Sequence, residues 1–151
     1  MKSLVINTTL KASVDEILSN FNAKTMQEAT PPFINLEVTR FDGVEYANQT
    51  HMITSILGHY QSWIIEVMQT KRTDKGIIIR TEATECPFPF NLWIHTYHIR
   101  MLENGMTKIT DNIKYKTENF LFDLLIYPIV YFIMYYRKPI LMDKYNKEVN
   151  I

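Results

Sequence analysis

The sequence is poor in cysteine, in glycine and in charge of either sign. Its one cysteine, Cys86, has no partner for an internal disulfide, and the N-terminal residues lack the apolar stretch of a signal peptide, so we expect a cytoplasmic protein. The 16 basic and 16 acidic side chains leave no net charge, which argues against a nucleic-acid partner. No phosphate-binding loop is expected either, because the four glycines are isolated in predicted turns: Gly43, Gly58, Gly76 and Gly105.

Histidine spacing that suits a metal ion is also lacking. His95 and His98 are three residues apart on a predicted strand, so their side chains point to opposite faces. His51 and His59 have no cysteine, aspartate or glutamate at ligand spacing. We therefore expect neither a metal site nor a cofactor.

The sequence does have one long apolar segment, residues 120–141. It is apolar on every side, which predicts a helix that is enclosed either by lipid or by the rest of the protein. Asp123, Pro128 and the similar number of basic residues at both ends disfavour a membrane span. We therefore predict no stable membrane insertion and a helix that a curved sheet buries from several directions. Pro128 predicts a bend in this helix near residues 126–128.

The upstream residues favour strands. Apolar and polar residues alternate weakly over residues 2–9, which predicts a first strand. A capping box at residues 13–16 predicts a short helix, and a second short helix is expected over residues 24–29. Between residues 34 and 117, alternating apolar residues and glycine or proline turns predict the remaining strands. The predicted fold class is α+β of the helix-grip type. It has a curved antiparallel sheet of about seven strands around a long C-terminal helix, two short helices after strand 1, and a single domain over residues 1–151.

The last predicted hairpin is the most specific feature. Glu103-Asn104-Gly105 fits a three-residue loop with glycine in the left-handed position, which pairs Met101 with Thr107. Asp111 then lies diagonal to His95, so a hydrogen bond or ion pair across the strands is predicted. This register places on one inward face Trp93, His95, Tyr97, Ile99, Asp111, Ile113 and Tyr115.

Two interpretations of this inward face remain open. Its polar groups either satisfy one another in a small buried network, or they orient a ligand in an apolar cavity. If the inward face lines a ligand cavity, Trp63 on an earlier strand and three side chains of the long helix would line it too. The three helical side chains also suit a packed core. The candidate ligand-binding residues are therefore Trp63, Trp93, His95, Tyr97, Asp111, Tyr115, Tyr127, Tyr131 and Met134.

An ordered set of short motifs runs along nearly the whole chain. It comprises Thr30-Pro31-Pro32-Phe33, Gly58 with Trp63, Pro89-Phe90 before Trp93 and His95, the alternating residues Thr107, Ile109, Asp111, Ile113 and Tyr115, and Arg137 with Leu141. In this order the motifs resemble those of the bacterial SRPBCC ligand-binding proteins, within the START-like, pollen-allergen-type helix-grip superfamily that includes the polyketide cyclase/dehydrase group. The resemblance implies a deep hydrophobic cavity between the sheet and the C-terminal helix. Phe88 stands where the pattern has glycine, so a narrower cavity mouth is expected there.

These observations favour a non-enzymatic carrier or sensor of a hydrophobic small molecule, such as a lipid, an isoprenoid or a polyketide-like ring system. The alternative is a cyclase- or dehydratase-type enzyme in which Asp111 orients His95 as general acid/base and Tyr97 or Tyr115 donates to an oxygen. A third class, a partner-binding module, needs an exposed apolar patch, and only the C-terminal segment offers one. The oligomeric state stays open.

Overall fold

The computed structural model describes residues 1–146, and within them the chain forms one seven-stranded antiparallel sheet and four helices. The strands are β1 (Lys2–Leu10), β2 (Asn35–Phe41), β3 (Gln49–Ile56), β4 (His59–Thr73), β5 (Gly76–Glu85), β6 (Leu92–Met101) and β7 (Thr107–Lys116). The helices are α1 (Val14–Ser19), α2 (Ala23–Glu28), α3 (Phe120–Tyr135) and α4 (Arg137–Tyr145). The predicted α+β helix-grip class is confirmed.

The sheet has the strand order β1-β7-β6-β5-β4-β3-β2, so the first and last strands of the chain are neighbours. β1 and β2 lie at opposite edges, and α1 and α2 carry the chain between them. The pairing register shifts within β2 and twice along β4. Such bulges bend and twist a strand, which curves the sheet and gives it a concave face.

The sequence predicts both short helices, and the start of α1 is as expected. The hydroxyl of Ser13 accepts the backbone N–H of Glu16 at 3.1 Å, as expected of the capping box. α2 begins one residue earlier than predicted because Asn22 caps it, accepting the N–H of Thr25 at 3.0 Å.

α3 packs against the sheet on one side only. Asp123 and Val130 are buried, whereas Leu121 and Leu125 on the other side are 69% and 67% exposed. The prediction that the segment is buried from several directions is therefore wrong. A uniformly apolar helix has no stripe that marks its inner side, and the sheet covers only the side that it contacts. The result is an apolar outer face on α3.

Length and composition alone would let α3 and α4 together, Phe120–Tyr145, cross a membrane. Only 11% of the most apolar 18-residue window of this segment is buried. The absence of stable membrane insertion stays a prediction.

The C-terminal helix is interrupted at Tyr136, whereas α3 continues through Pro128. Pro139 in the first turn of α4 has no N–H for the carbonyl group four residues before it, which accounts for the interruption. The bend expected at residues 126–128 stays a prediction. After the interruption, Arg137 and Leu141 are one turn apart on the same side of α4, facing the sheet.

Among residues 1–146, the buried apolar side chains form two clusters rather than one solid core. One includes Ile99, Ile109 and Leu141, and the other includes Ile113 and Val130. Ile109 and Ile113 lie on the same face of β7, so the residue between them on that face separates the two clusters. That residue is Asp111.

Candidate functional site

A cavity of about 460 Å³ lies between the sheet and the helices, within the range of small-molecule sites. Its walls come from β2, β3, β4, β6 and β7, from all four helices, and from the loop before β6. Most of the lining is apolar, and it includes Met52, Ile65, Trp93, Ile133 and Met134. A cavity of this kind excludes water from an apolar guest and offers few polar contacts.

The mouth of the cavity lies where lining residues are also exposed. Ile56 at the end of β3, Phe88 in the loop before β6 and Ile129 on α3 are 42%, 70% and 60% exposed. The ring of Phe88 packs against that of Phe122, with centroids 6.2 Å apart. Phe88 therefore lies at the mouth, where the sequence places its departure from the family pattern. That it narrows the mouth stays a prediction.

The β6–β7 hairpin positions the polar residues, and its register is as predicted. Met101 pairs with Thr107, Tyr97 with Asp111 and Trp93 with Tyr115. The register holds because the Glu103-Asn104-Gly105 loop closes with Gly105 at φ +81°, a conformation that glycine adopts without strain.

His95, Asp111 and Arg137 form a connected polar network. The His95 Nε2 and Asp111 Oδ1 atoms are 2.8 Å apart, which confirms the predicted contact across the strands. Arg137 Nη1 donates to the same oxygen at 3.4 Å. His95 and Arg137 line the cavity, and Asp111 lies behind them. Within residues 1–146 no third histidine, cysteine, aspartate or glutamate joins them to make a metal-binding group.

The surroundings of this network fix its charges. Burial lowers the pKa of His95, against the opposing effect of Asp111, so the imidazole is neutral at pH 7. Burial alone raises the pKa of Asp111, but the charge of Arg137 and the hydrogen bond with His95 outweigh it, so this pKa lies below its usual value. Burial disfavours the charge of Arg137, yet Asp111 and Tyr97 leave its pKa above the ordinary value. The network therefore holds one negative and one positive charge.

Tyr97 completes this wall of the cavity. Its ring stacks on the imidazole of His95 with centroids 3.8 Å apart, and Phe21 of the α1–α2 connection meets it edge-on at 5.0 Å. Burial raises the pKa of Tyr97 to about 12, so its hydroxyl keeps its proton at neutral pH and remains a hydrogen-bond donor.

The structure brings five of the nine candidate residues to the cavity wall: Trp63, Trp93, His95, Tyr97 and Met134. That any of them contacts a ligand stays a prediction. The other four lie elsewhere. Asp111 lies behind His95, and the hydroxyl of the buried Tyr115 donates to the backbone carbonyl of Asp123. Tyr127 packs under the amine of Lys2, and the ring of Tyr131, which is 38% exposed, lies beside that of Tyr127.

Sequence reasoning missed the contribution of the N-terminal helices. Phe21 and Met26 line the cavity opposite the sheet, and Arg137 adds its guanidinium from α4. Phe21 continues the helical spacing of Val14, Ile17 and Leu18, which was the available signal, although α1 ends at Ser19 before it. Arg137 appeared only as part of a family motif, because its contact with Asp111 joins residues 26 positions apart.

No protein-family model and no curated protein matches this sequence. Solved structures do match its fold. Ginseng major latex-like protein 151 from Panax ginseng is 15% identical, with a TM-score of 0.67 over 97% of this chain and 98% of that one. Protein CV1439 from Chromobacterium violaceum is 11% identical, with a TM-score of 0.71 over 97% and 98%.

A protein from Arthrobacter aurescens is 10% identical, with a TM-score of 0.73 over 98% of this chain and 88% of that one. At these identities the likeness establishes the fold alone. The chain therefore has the helix-grip fold that its resemblance to the SRPBCC proteins implies.

Proposed function

We propose that this protein binds a hydrophobic small molecule in the cavity between the sheet and the C-terminal helices, as a carrier or a sensor. The observation that carries the proposal is the cavity itself, of about 460 Å³, with a mostly apolar lining. Lipids, isoprenoids and polyketide-like ring systems all fit this description. In this proposal residues 1–151 act as one domain in the cytoplasm.

The tryptophans provide a direct test. Trp63 and Trp93 are the only two in the chain, both line the cavity, and their ring centroids are 5.5 Å apart. Tryptophan fluorescence therefore reports on the cavity wall. Titration with the neutral apolar fluorophore N-phenyl-1-naphthylamine should quench tryptophan emission and raise probe emission to saturation at one probe per chain. Probe emission that rises while tryptophan emission is unchanged would contradict binding in the cavity.

An enzyme of the cyclase or dehydratase kind is the second candidate. The contact of His95 with Asp111 favours it, since a carboxylate that fixes an imidazole is a common arrangement for general acid–base work. Of the two tyrosines considered as donors, Tyr97 lines the cavity, whereas the hydroxyl of Tyr115 is engaged with the carbonyl of Asp123. A His95→Ala variant that binds substrate but loses turnover would support this function, and one with unchanged turnover would exclude it.

A further inference from the structure

Arg137 is the one arginine, lysine, aspartate or glutamate among the described residues that line the cavity. Its side chain is 24% exposed, and it lines the same apolar space as Trp93 and Ile133. A guanidinium has five N–H donors in a rigid plane. Asp111 engages Nη1 at the long distance of 3.4 Å, and the hydroxyl of Tyr97 accepts a further hydrogen bond from the guanidinium, which leaves other N–H groups of the five unengaged. Arg137 therefore has donor capacity to offer a molecule inside the cavity.

The charges around Arg137 restrict what that molecule can be. Asp111 is the one carboxylate within 4 Å of Arg137 in the described part of the chain, and it balances the guanidinium charge. His95 is neutral, so an additional negative charge here would lack a cation of its own. Leaving an unpaired charge in an apolar site is costly, whereas an uncharged oxygen needs only a donor.

The geometry points to a lipophilic ligand with one uncharged oxygen acceptor, a carbonyl or hydroxyl group, which we propose binds Arg137. This inference rests on the proposed function, since it names the class of molecule that the cavity takes. The apolar body lies among the aromatic and aliphatic side chains, and the oxygen accepts from the guanidinium. Arg137 thereby orients the ligand with its oxygen toward the β6–β7 hairpin.

Three probes of similar skeleton test the inference by isothermal titration calorimetry. Diphenylmethane is apolar, benzophenone adds one carbonyl oxygen, and diphenylacetate adds a carboxylate. In the unaltered protein, we expect benzophenone to bind roughly tenfold more tightly than diphenylmethane, as a hydrogen bond from a charged donor allows. Diphenylacetate should bind more weakly than benzophenone at pH 7.

The matched variant is Arg137→Met combined with Asp111→Asn, which removes both charges and leaves neither unpaired. It should bind diphenylmethane as before and lose the preference for benzophenone. Arg137→Lys, which keeps a cation beside Asp111 but lacks the planar donor group, provides a second variant should the first fail to fold, and the preference should fall there also.

The outcomes separate this inference from the proposed function. Equal binding of benzophenone and diphenylmethane to the unaltered protein would overturn the role of Arg137 and leave cavity binding intact. A preference that persists in the double variant, or in Arg137→Lys where the double variant does not fold, would overturn it too. Tightest binding of diphenylacetate would overturn the uncharged character of the ligand. If none of the three probes binds, the inference and the proposed function fall together.

Discussion

The hydroxyl of Tyr115 donates to the backbone carbonyl of Asp123 across 2.8 Å, which ties the last strand to the first turn of α3. Asp123 strengthens the same junction, because its carboxylate accepts the backbone N–H of Thr117 at 2.6 Å and also the Thr117 hydroxyl. These bonds keep the pKa of Asp123 below its usual value, and the hydrogen bond from the Thr117 hydroxyl has the largest effect. All three residues are buried. The junction fixes where α3 leaves the sheet and so sets one side of the cavity.

Asp123→Ala should therefore destabilise the protein. It leaves the buried N–H of Thr117 without its acceptor, which costs about 1–3 kcal/mol in the free energy of unfolding. Urea denaturation measures the loss. Glu103→Ala in the exposed β6–β7 turn is the matched control and should change stability by less than about 0.5 kcal/mol. Equal losses in the two variants would show that the junction contributes nothing specific.

Stability should fall on acidification through His95. Burial lowers the pKa of His95 in the folded state, whereas an unfolded histidine titrates near about 6.5. Below that pH the unfolded chain takes up the proton first, so the free energy of unfolding decreases by up to about 1.4 kcal/mol per pH unit. His95→Gln keeps a donor toward Asp111 but does not titrate. Urea unfolding at pH 7, 6 and 5 should show a shallower dependence in this variant, and parallel curves would contradict the assignment.

The two faces of α3 should respond differently to substitution. Val130→Ala removes buried methyl groups and should cost on the order of 2 kcal/mol. Leu125 is 67% exposed, so Leu125→Gln should change the free energy of unfolding by less than about 0.5 kcal/mol. Thermal or urea unfolding of the two variants compares them directly. A cost for Leu125→Gln that matches that for Val130→Ala would mean that the outer face is covered in solution.

The β6–β7 hairpin could be predicted residue by residue because two independent signals agree on it. Its turn sequence fixes the loop length, and the alternation of residues fixes which face points inward. The inward set that included His95 and Asp111 followed from these local rules, and so did their contact.

The C-terminal helix shows what local rules leave undetermined. Its sequence predicts a helix. Which side of that helix is exposed depends on how far the sheet extends around it, and the residues of the helix do not determine that extent. Tyr131 was a candidate ligand contact for this reason, yet it lies on the outer face. The contact between Arg137 and Asp111 joins two elements distant in sequence, so only the folded structure reveals it.

Occupancy of the cavity is the most direct test of the whole account. Met52 and Ile53 are adjacent on β3 with side chains on opposite faces of the sheet, and only Met52 lines the cavity. Met52→Trp should occupy part of the cavity, whereas Ile53→Trp adds comparable bulk outside it. Native mass spectrometry after incubation with a lipid extract should show a one-to-one adduct on the unaltered protein and on Ile53→Trp, and a clearly weaker adduct on Met52→Trp. No adduct on any of the three, or the same adduct on all of them, would contradict ligand binding in the cavity.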